Sequence, residues 1–224
     1  MIDFYTWITP NGLKISIALE EFGLPYKAHA IDITKGDQFS ADYVAINPGS
    51  KIPAIVDHET GITLAESGAI LLYLAEKTGR FLPREGAARH HTIEWLMWQM
   101  GGFGPTLGHA HYFLTYNEGR APFAEEIFRK DTIRLYETLD ARLEGREHLV
   151  GDYSIADMAV WPWVSRFLRH KIDLSDFPNV RRWYLQLAAR PQVKRGYEVP
   201  HFTTPVPLPQ VSNHWYRIGS RPIA

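Results

Sequence analysis

The chain has 224 residues, 45% of them hydrophobic and 13% aromatic, enough to bury a sizeable core as one large domain or two small ones. Its 24 Lys and Arg against 25 Asp and Glu leave a net charge of −1, which gives no electrostatic footprint for nucleic acid or an anionic membrane. Cysteine is absent, which removes disulfides, thiolate metal sites and a cysteine nucleophile; any thiol chemistry must use a thiol that arrives with the ligand. No apolar run reaches the length of a membrane span and no basic-then-apolar leader opens the sequence, so a soluble, cytoplasmic protein is expected.

Ile2 to Tyr5 read as a first strand. Thr6-Trp7-Ile8-Thr9-Pro10-Asn11-Gly12 is dense in turn formers, and Leu13 to Phe22 carries a helical apolar face with Gly23 as its stop. A strand, a tight loop and a helix N-terminus make a ready site for an electronegative group. Thr9 offers a hydroxyl donor there and Asn11 an amide donor. Donors to a thiolate stabilise its charged form and lower the pKa of the ligand thiol. The same residues also fit a plain cap, with Thr9 or Asn11 as N-cap and Pro10 setting the first turn. Tyr26 to Asp32 alternates as a second strand, and Thr34 to Asn47 is polar with a short helix around Phe39 to Ala45.

Next come two short apolar runs, Lys51 to Asp57 and Ile62 to Leu64, about a turn at Glu59-Thr60-Gly61. Ala65-Glu66-Ser67-Gly68 then opens an amphipathic helix in which Ile70, Leu71 and Leu74 share a face. Pro53 cannot donate to a sheet ladder, so it belongs at a strand's start or on an edge. A cis bond before it would leave the N–H and C=O of Ile52 free for an extended ligand. The helix N-terminus suits a carboxylate and Glu66 beside it an ammonium, so the stretch reads as a site for a small zwitterionic peptide. The plainer alternative is a β-hairpin and a helix with Glu66-Ser67 as an ordinary cap.

Phe81 to Gly86 is a linker, with Pro83 and Gly86 following a helix that ends near Thr78-Gly79. Ala87 to Met100 is a helix expected to stop at Gly101-Gly102, and Gly104-Pro105 should break or kink it. A further helical stretch runs from Leu107 to Tyr116. His109 and His111 in it cannot share a helix face, and with no third ligand they are expected to be solvent or interface histidines rather than metal ligands. Pro122 to Leu143 is a long amphipathic helix with Phe123, Ile127, Ile133, Leu135, Leu139 and Leu143 on its apolar side; Arg134, beside that stripe, fits a solvated charge. Ser154-Ile155-Ala156-Asp157 has the outline of a capping box before a helix buried on nearly all sides. Pro178 starts another helix that ends at Arg190-Pro191, and from His201 the sequence is rich in proline with isolated aromatics, Trp215 and Tyr216.

The order β-α-β, then α, then β-β-α is the thioredoxin-like arrangement, with Thr9-Pro10-Asn11-Gly12 in the place of the redox cysteine pair. Together with Gln38, Ile52-Pro53, Glu66-Ser67 and Ser154-Ile155-Ala156-Asp157, this loop resembles the glutathione transferases over about residues 1 to 200. The Thr-Pro-Asn loop is most similar to the bacterial Nu-class homologues, which act as disulfide-bond reductases. The resemblance implies a thioredoxin-like α/β domain over residues 1–80, a linker at 81–86 and an all-α helical domain over 87–200; the composition beyond it reads as an irregular tail over 201–224, packed on the surface or across a dimer partner. The resemblance further implies a homodimer and a glutathione-dependent enzyme acting on a small disulfide or electrophile without a metal. On this pattern Thr9 faces the sulfur and ranks with Asn11 above Tyr5, which sits where other classes carry a catalytic tyrosine. Ile52, ahead of Pro53, pairs its backbone with the cysteinyl part of glutathione. Glu66 and Ser67 hold the γ-glutamyl end, Asn11 and Gln38 make polar contacts, and Lys51 contacts the glycyl carboxylate. Arg134 reaches a second glutathione unit, and His109, Tyr112 and Phe113 are candidates for the second-substrate pocket. Two departures from this reading remain open: conjugation of glutathione to electrophiles, and a non-catalytic glutathione binder on the same scaffold.

Overall fold

The computed structural model describes residues 1–209. Four strands, β1 (Ile2–Thr6), β2 (Tyr26–Ala30), β3 (Ala54–Asp57) and β4 (Ile62–Ala65), form one sheet in the order β2-β1-β3-β4. β1 is parallel to β2 and antiparallel to β3, and β3 is antiparallel to β4. The parallel pair follows from the crossover helix α1 (Pro10–Phe22), which Gly23 closes at φ 67. A short helix α2 (Ala41–Ile46) precedes β3, and α3 (Ser67–Thr78) follows β4, completing the thioredoxin-like order read from the sequence.

Alternation sets what each strand buries. Ile2, Phe4 and Thr6 of β1 point inward while Asp3 and Tyr5 sit on the other face. Phe4 joins Ile15, Leu19, Ile55, Ile70, Leu71 and Leu74 in a core between the sheet and helices α1 and α3.

The remainder is helical: α4 (Gly86–Trp98), α5 (Gly104–His111), α6 (Pro122–Leu143), α7 (Ile155–Val164), α8 (Pro178–Ala188) and α9 (Pro191–Tyr197). α7 lies at the centre with all ten residues buried, and its start is a full capping box. Asp157 accepts from Ser154 N (3.1 Å), Ser154 Oγ (3.2 Å), Leu149 N (3.1 Å) and Trp183 Nε1 (2.9 Å), so it ties α7 to α8 as well as capping its own helix. Desolvation pushes this carboxyl above its usual range, opposed by those same donors.

Three expectations need correction. The chain does not break at Gly101-Gly102 or Gly104-Pro105: a wide π-type turn over Gln99–Phe103 carries α4 into α5, and a second over Tyr112–Tyr116 extends it. The wider turn, in which Gly104 N reaches back to Gln99 O, opens the helix just ahead of Pro105, where an ordinary turn would press the proline ring against the preceding carbonyl. On α6 the apolar stripe is buried only from Leu135 onward; Phe123 is 79% exposed. α9 was not foreseen, since Arg190-Pro191 reads as a stop and is also the start of the next helix.

α1 is the hinge of the architecture. Its Leu13 and Ile17 belong to the helical core while Ile15 and Leu19 belong to the sheet core, so it is buried on both sides. Arg190 clamps Glu21 through two bonds of 2.7 and 2.8 Å, with Glu21 only 4% exposed. Ser16 Oγ donates to Gly196 O at 2.6 Å, and a Cβ on Gly196 would lie 2.6 Å from Ile17 Cα, so α1 and α9 meet backbone to backbone. Residues 201–209 form no regular element; Tyr184 OH donates to Pro207 O at 2.6 Å, holding this stretch on α8, whereas Trp215 and Tyr216 lie outside the described residues. Among the described residues no helix is long and apolar enough to cross a membrane.

Candidate functional site

Sheet register brings three segments to one end of the molecule. Tyr5 pairs with Ala54 and Ala54 with Ala65, so the loop after β1, the residues ahead of β3 and the residues after β4 stand side by side. These are Thr9 to Asn11, Ile52-Pro53 and Glu66-Ser67.

Thr9 is the N-cap of α1. Its Oγ1 accepts from Gly12 N at 3.2 Å, its own N–H donates to Trp7 O at 2.7 Å, and Pro10 occupies the first turn. The plain-cap reading of the sequence is therefore realised, and it leaves the hydroxyl hydrogen without an acceptor among the described residues. Gly12 makes the turn feasible: a Cβ there would sit 2.3 Å from Trp7 O. Asn11 Oδ1 accepts from Trp163 Nε1 of α7 at 3.1 Å. Indole N–H is donor only, so this bond fixes the amide with its oxygen toward the helical core and its NH2 the other way, unpaired among the described residues. Tyr5 stacks on His29 at 4.7 Å, and burial followed by the charge of Asp3 pushes its phenol up.

The Ile52–Pro53 bond is cis, and neither backbone group of Ile52 is paired among the described residues. The loop is anchored one residue earlier, where Lys51 O accepts from Tyr43 OH (2.6 Å) and Asn47 Nδ2 (2.7 Å). The Lys51 side chain is exposed. Gln38 lies on a short 3-10 turn (Asp37–Phe39), with its Oε1 buried and unpartnered.

Glu66 is not an ordinary cap. It takes φ 67 and ψ 111, a conformation disfavoured for a non-glycine residue, and its side chain caps nothing. The first N–H groups of α3 are thus left open beside the Ser67 hydroxyl, which is 3% exposed. Arg134 is not gathered with these residues: it is exposed on α6 and paired with Asp131 at 3.1 Å.

Sequence reasoning missed a second layer. Lys14, one turn into α1, is 1% exposed and donates to Ser67 Oγ (3.1 Å), Gln99 Oε1 (2.5 Å) and Met100 Sδ (3.3 Å). Its signal was present as a lysine flanked by Leu13 and Ile15 in an apolar helix; Trp163 carried no local signal. Behind Trp163 the rings continue inward. His111 lies 5.7 Å from Trp163 and stacks on His170 at 4.6 Å, and His170 Nδ1 bonds Tyr136 OH at 2.8 Å. His111 is therefore a core residue rather than the solvent or interface histidine expected, and burial pushes it down to about 4, with Arg169 and Arg166 adding to the shift. His109 is exposed and lies tilted against Phe128 of α6, on which Phe113 stacks, with Tyr112 exposed against Phe113. Among the described residues no group of three His, Asp or Glu is placed to hold a metal ion.

The arrangement suits an extended zwitterionic peptide bearing a thiol. A tripeptide backbone can pair with Ile52, an anionic end with the open start of α3, an ammonium with Glu66, and a sulfur with the free donors of Thr9 and Asn11. The orphan Gln38 Oε1 calls for a donor from the same ligand.

The model for the glutathione S-transferase N-terminal domain matches residues 9–77, and that for the C-terminal domain matches residues 105–191. The disulfide-bond oxidoreductase YfcG of Escherichia coli (strain K12) is 48% identical over 197 residues, covering 85% of this chain and 92% of that protein. YghU of the same organism, also a disulfide-bond oxidoreductase, is 41% identical over 212 residues, covering 87% and 73%. Among solved structures, a glutathione transferase from Burkholderia graminis with two glutathione molecules bound per subunit has a TM-score of 0.83 at 41% identity, over 89% of this chain and 88% of that one. One from Pseudomonas putida with one glutathione disulfide per subunit has a TM-score of 0.82 at 39% identity, over 89% and 91%.

Proposed function

The chain belongs to the glutathione S-transferase family, and on that premise we propose that it is a glutathione-dependent disulfide-bond reductase. The reading is carried by Asn11: Trp163 holds its amide so that an unpaired NH2 stands in the same turn as the free Thr9 hydroxyl, in a protein with no thiol of its own.

Bound glutathione lies extended, its cysteinyl unit on the Ile52 backbone beside Pro53 and its γ-glutamyl end on Glu66, Ser67 and the start of α3. Gln38 and Lys51 contact the glycyl end. Donors at Thr9 and Asn11 favour the ionised sulfur, and the thiolate is the species that attacks a disulfide. The thiolate bonds one sulfur of a small disulfide and the other sulfur leaves as a thiolate that takes a proton from water. A second glutathione thiolate then attacks the glutathione sulfur of the mixed disulfide, releasing the second thiol and leaving glutathione disulfide. Arg134, released from Asp131, is the cation for that second glutathione. The protein works as a homodimer in the cytoplasm, where glutathione is kept reduced.

The test is turnover of 2-hydroxyethyl disulfide with glutathione, set beside conjugation of chlorodinitrobenzene. Disulfide turnover without conjugation supports the reading. Conjugation alone makes the protein a conventional transferase, and silence in both with retained glutathione binding makes it a binder.

A further inference from the structure

Lys14 is the odd residue of this site. An ammonium taken out of water is costly unless a counter-charge or a full set of acceptors replaces the solvent. Here the partners are a hydroxyl, an amide oxygen and a thioether, all neutral. Burial accordingly pushes the Lys14 amine down to about 7, the charge of Glu66 pulling the other way. The surroundings are built rather than accidental. The wide turn Gln99–Phe103 aims both Gln99 and Met100 at Lys14, and Met100 packs so close to Gly68 that a Cβ there would meet its Cγ at 2.9 Å. Ser67, accepting from Lys14, has only Met100 Sδ at 3.6 Å for its own hydrogen, a poor acceptor.

We propose that Lys14 is a positioning residue for the γ-glutamyl carboxylate of glutathione: from inside the protein it holds Ser67 Oγ so that the serine hydrogen turns toward the ligand, and it supplies the cation facing that carboxylate. This rests on the glutathione reading above. The arriving carboxylate adds a second negative charge to that of Glu66, which makes no direct bond to Lys14, so binding carries a proton from solvent onto the amine. Helices α9, α3 and α7 pack on α1; around Lys14 the start of α3 presents Glu66 and Ser67, and the wide turn presents Gln99 and Met100. Among the described residues Glu66 is the charged group that acts on Lys14 from any of them.

The experiment is calorimetry with S-methylglutathione, which has no thiol to release a proton, in buffers of different ionisation enthalpy. The wild-type protein should take up a sizeable fraction of a proton per ligand between about pH 7 and 8.5, with affinity falling as pH rises through that range. Lys14→Met should abolish the uptake, make affinity insensitive to pH there, and weaken binding by about tenfold or more. Its KM for glutathione should rise with kcat changed less than threefold, which loss of packing alone would not give. Wild-type binding without proton uptake overturns the proposal and leaves the glutathione reading standing. So does a Lys14→Met variant with unchanged affinity and pH dependence. Absence of any binding to the wild-type protein overturns both. Should Lys14→Met fail to fold, the wild-type proton count still decides.

Discussion

Two helices of this protein begin in opposite ways. α7 starts closed: Ser154 and Asp157 consume each other's donors and acceptors, Asp157 is fully buried, and the spare carboxylate capacity goes to Leu149 and Trp183. α3 starts open: Glu66 takes a disfavoured backbone conformation, caps nothing, and leaves free N–H groups beside Ser67. On the proposed function, the contrast separates what holds the fold from what meets glutathione. A polar group that finishes its bonds inside the protein contributes to stability, and one that leaves them unfinished contributes to binding.

Substitutions should sort along that line. Asp157→Ala, at the closed start, strands the donors of Leu149, Ser154 and Trp183 and should cost about 3–5 kcal/mol in urea unfolding while the folded fraction binds glutathione normally. A loss under about 1 kcal/mol would erase the distinction. Asn11→Ala, in the turn proposed to face the sulfur, should remove about 1.5–3 kcal/mol of transition-state stabilisation from disulfide reduction, beyond the stability lost by leaving Trp163 Nε1 unpaired. Tyr5→Phe should leave that rate within about twofold, given a phenol held up in pKa and stacked on His29. If Tyr5→Phe is the damaging change, the site belongs to a tyrosine-type enzyme. Glu66→Gly sharpens the comparison by moving both quantities in opposite directions: relief of the backbone should raise stability by about 1 kcal/mol while glutathione affinity drops. Equal or lower stability would mean that the Glu66 conformation costs nothing. A smaller effect than that of Asn11→Ala is expected from Trp163→Phe, which keeps the ring and deletes the N–H that fixes Asn11. It should lower kcat by an amount equivalent to about 0.5–1.5 kcal/mol without changing glutathione affinity.

What was legible in the sequence is what acts over short spans. The N-cap at Ser154, the stop at Gly23 and the turn at Thr9-Pro10-Asn11-Gly12 are each written in a few consecutive residues, and each is found where expected. The second layer is not local. Trp163 meets Asn11 across 152 positions and Gln99 meets Lys14 across 85, so no window of sequence contains both partners. Pro105 misled for a different reason: its cost depends on helix register, and a wide turn just ahead of it places the residue where proline is tolerated.

The bare face of Gly196 against Ile17 has a reach beyond its own neighbourhood. α1 carries the Thr9–Asn11 turn at one end and leans on α9, so on the proposed function the separation of these two helix axes, set by a missing side chain, bears on where that turn stands. A methyl group added at Gly196 would act as a shim under α1, tilting the Thr9–Asn11 turn from a position that is no part of it.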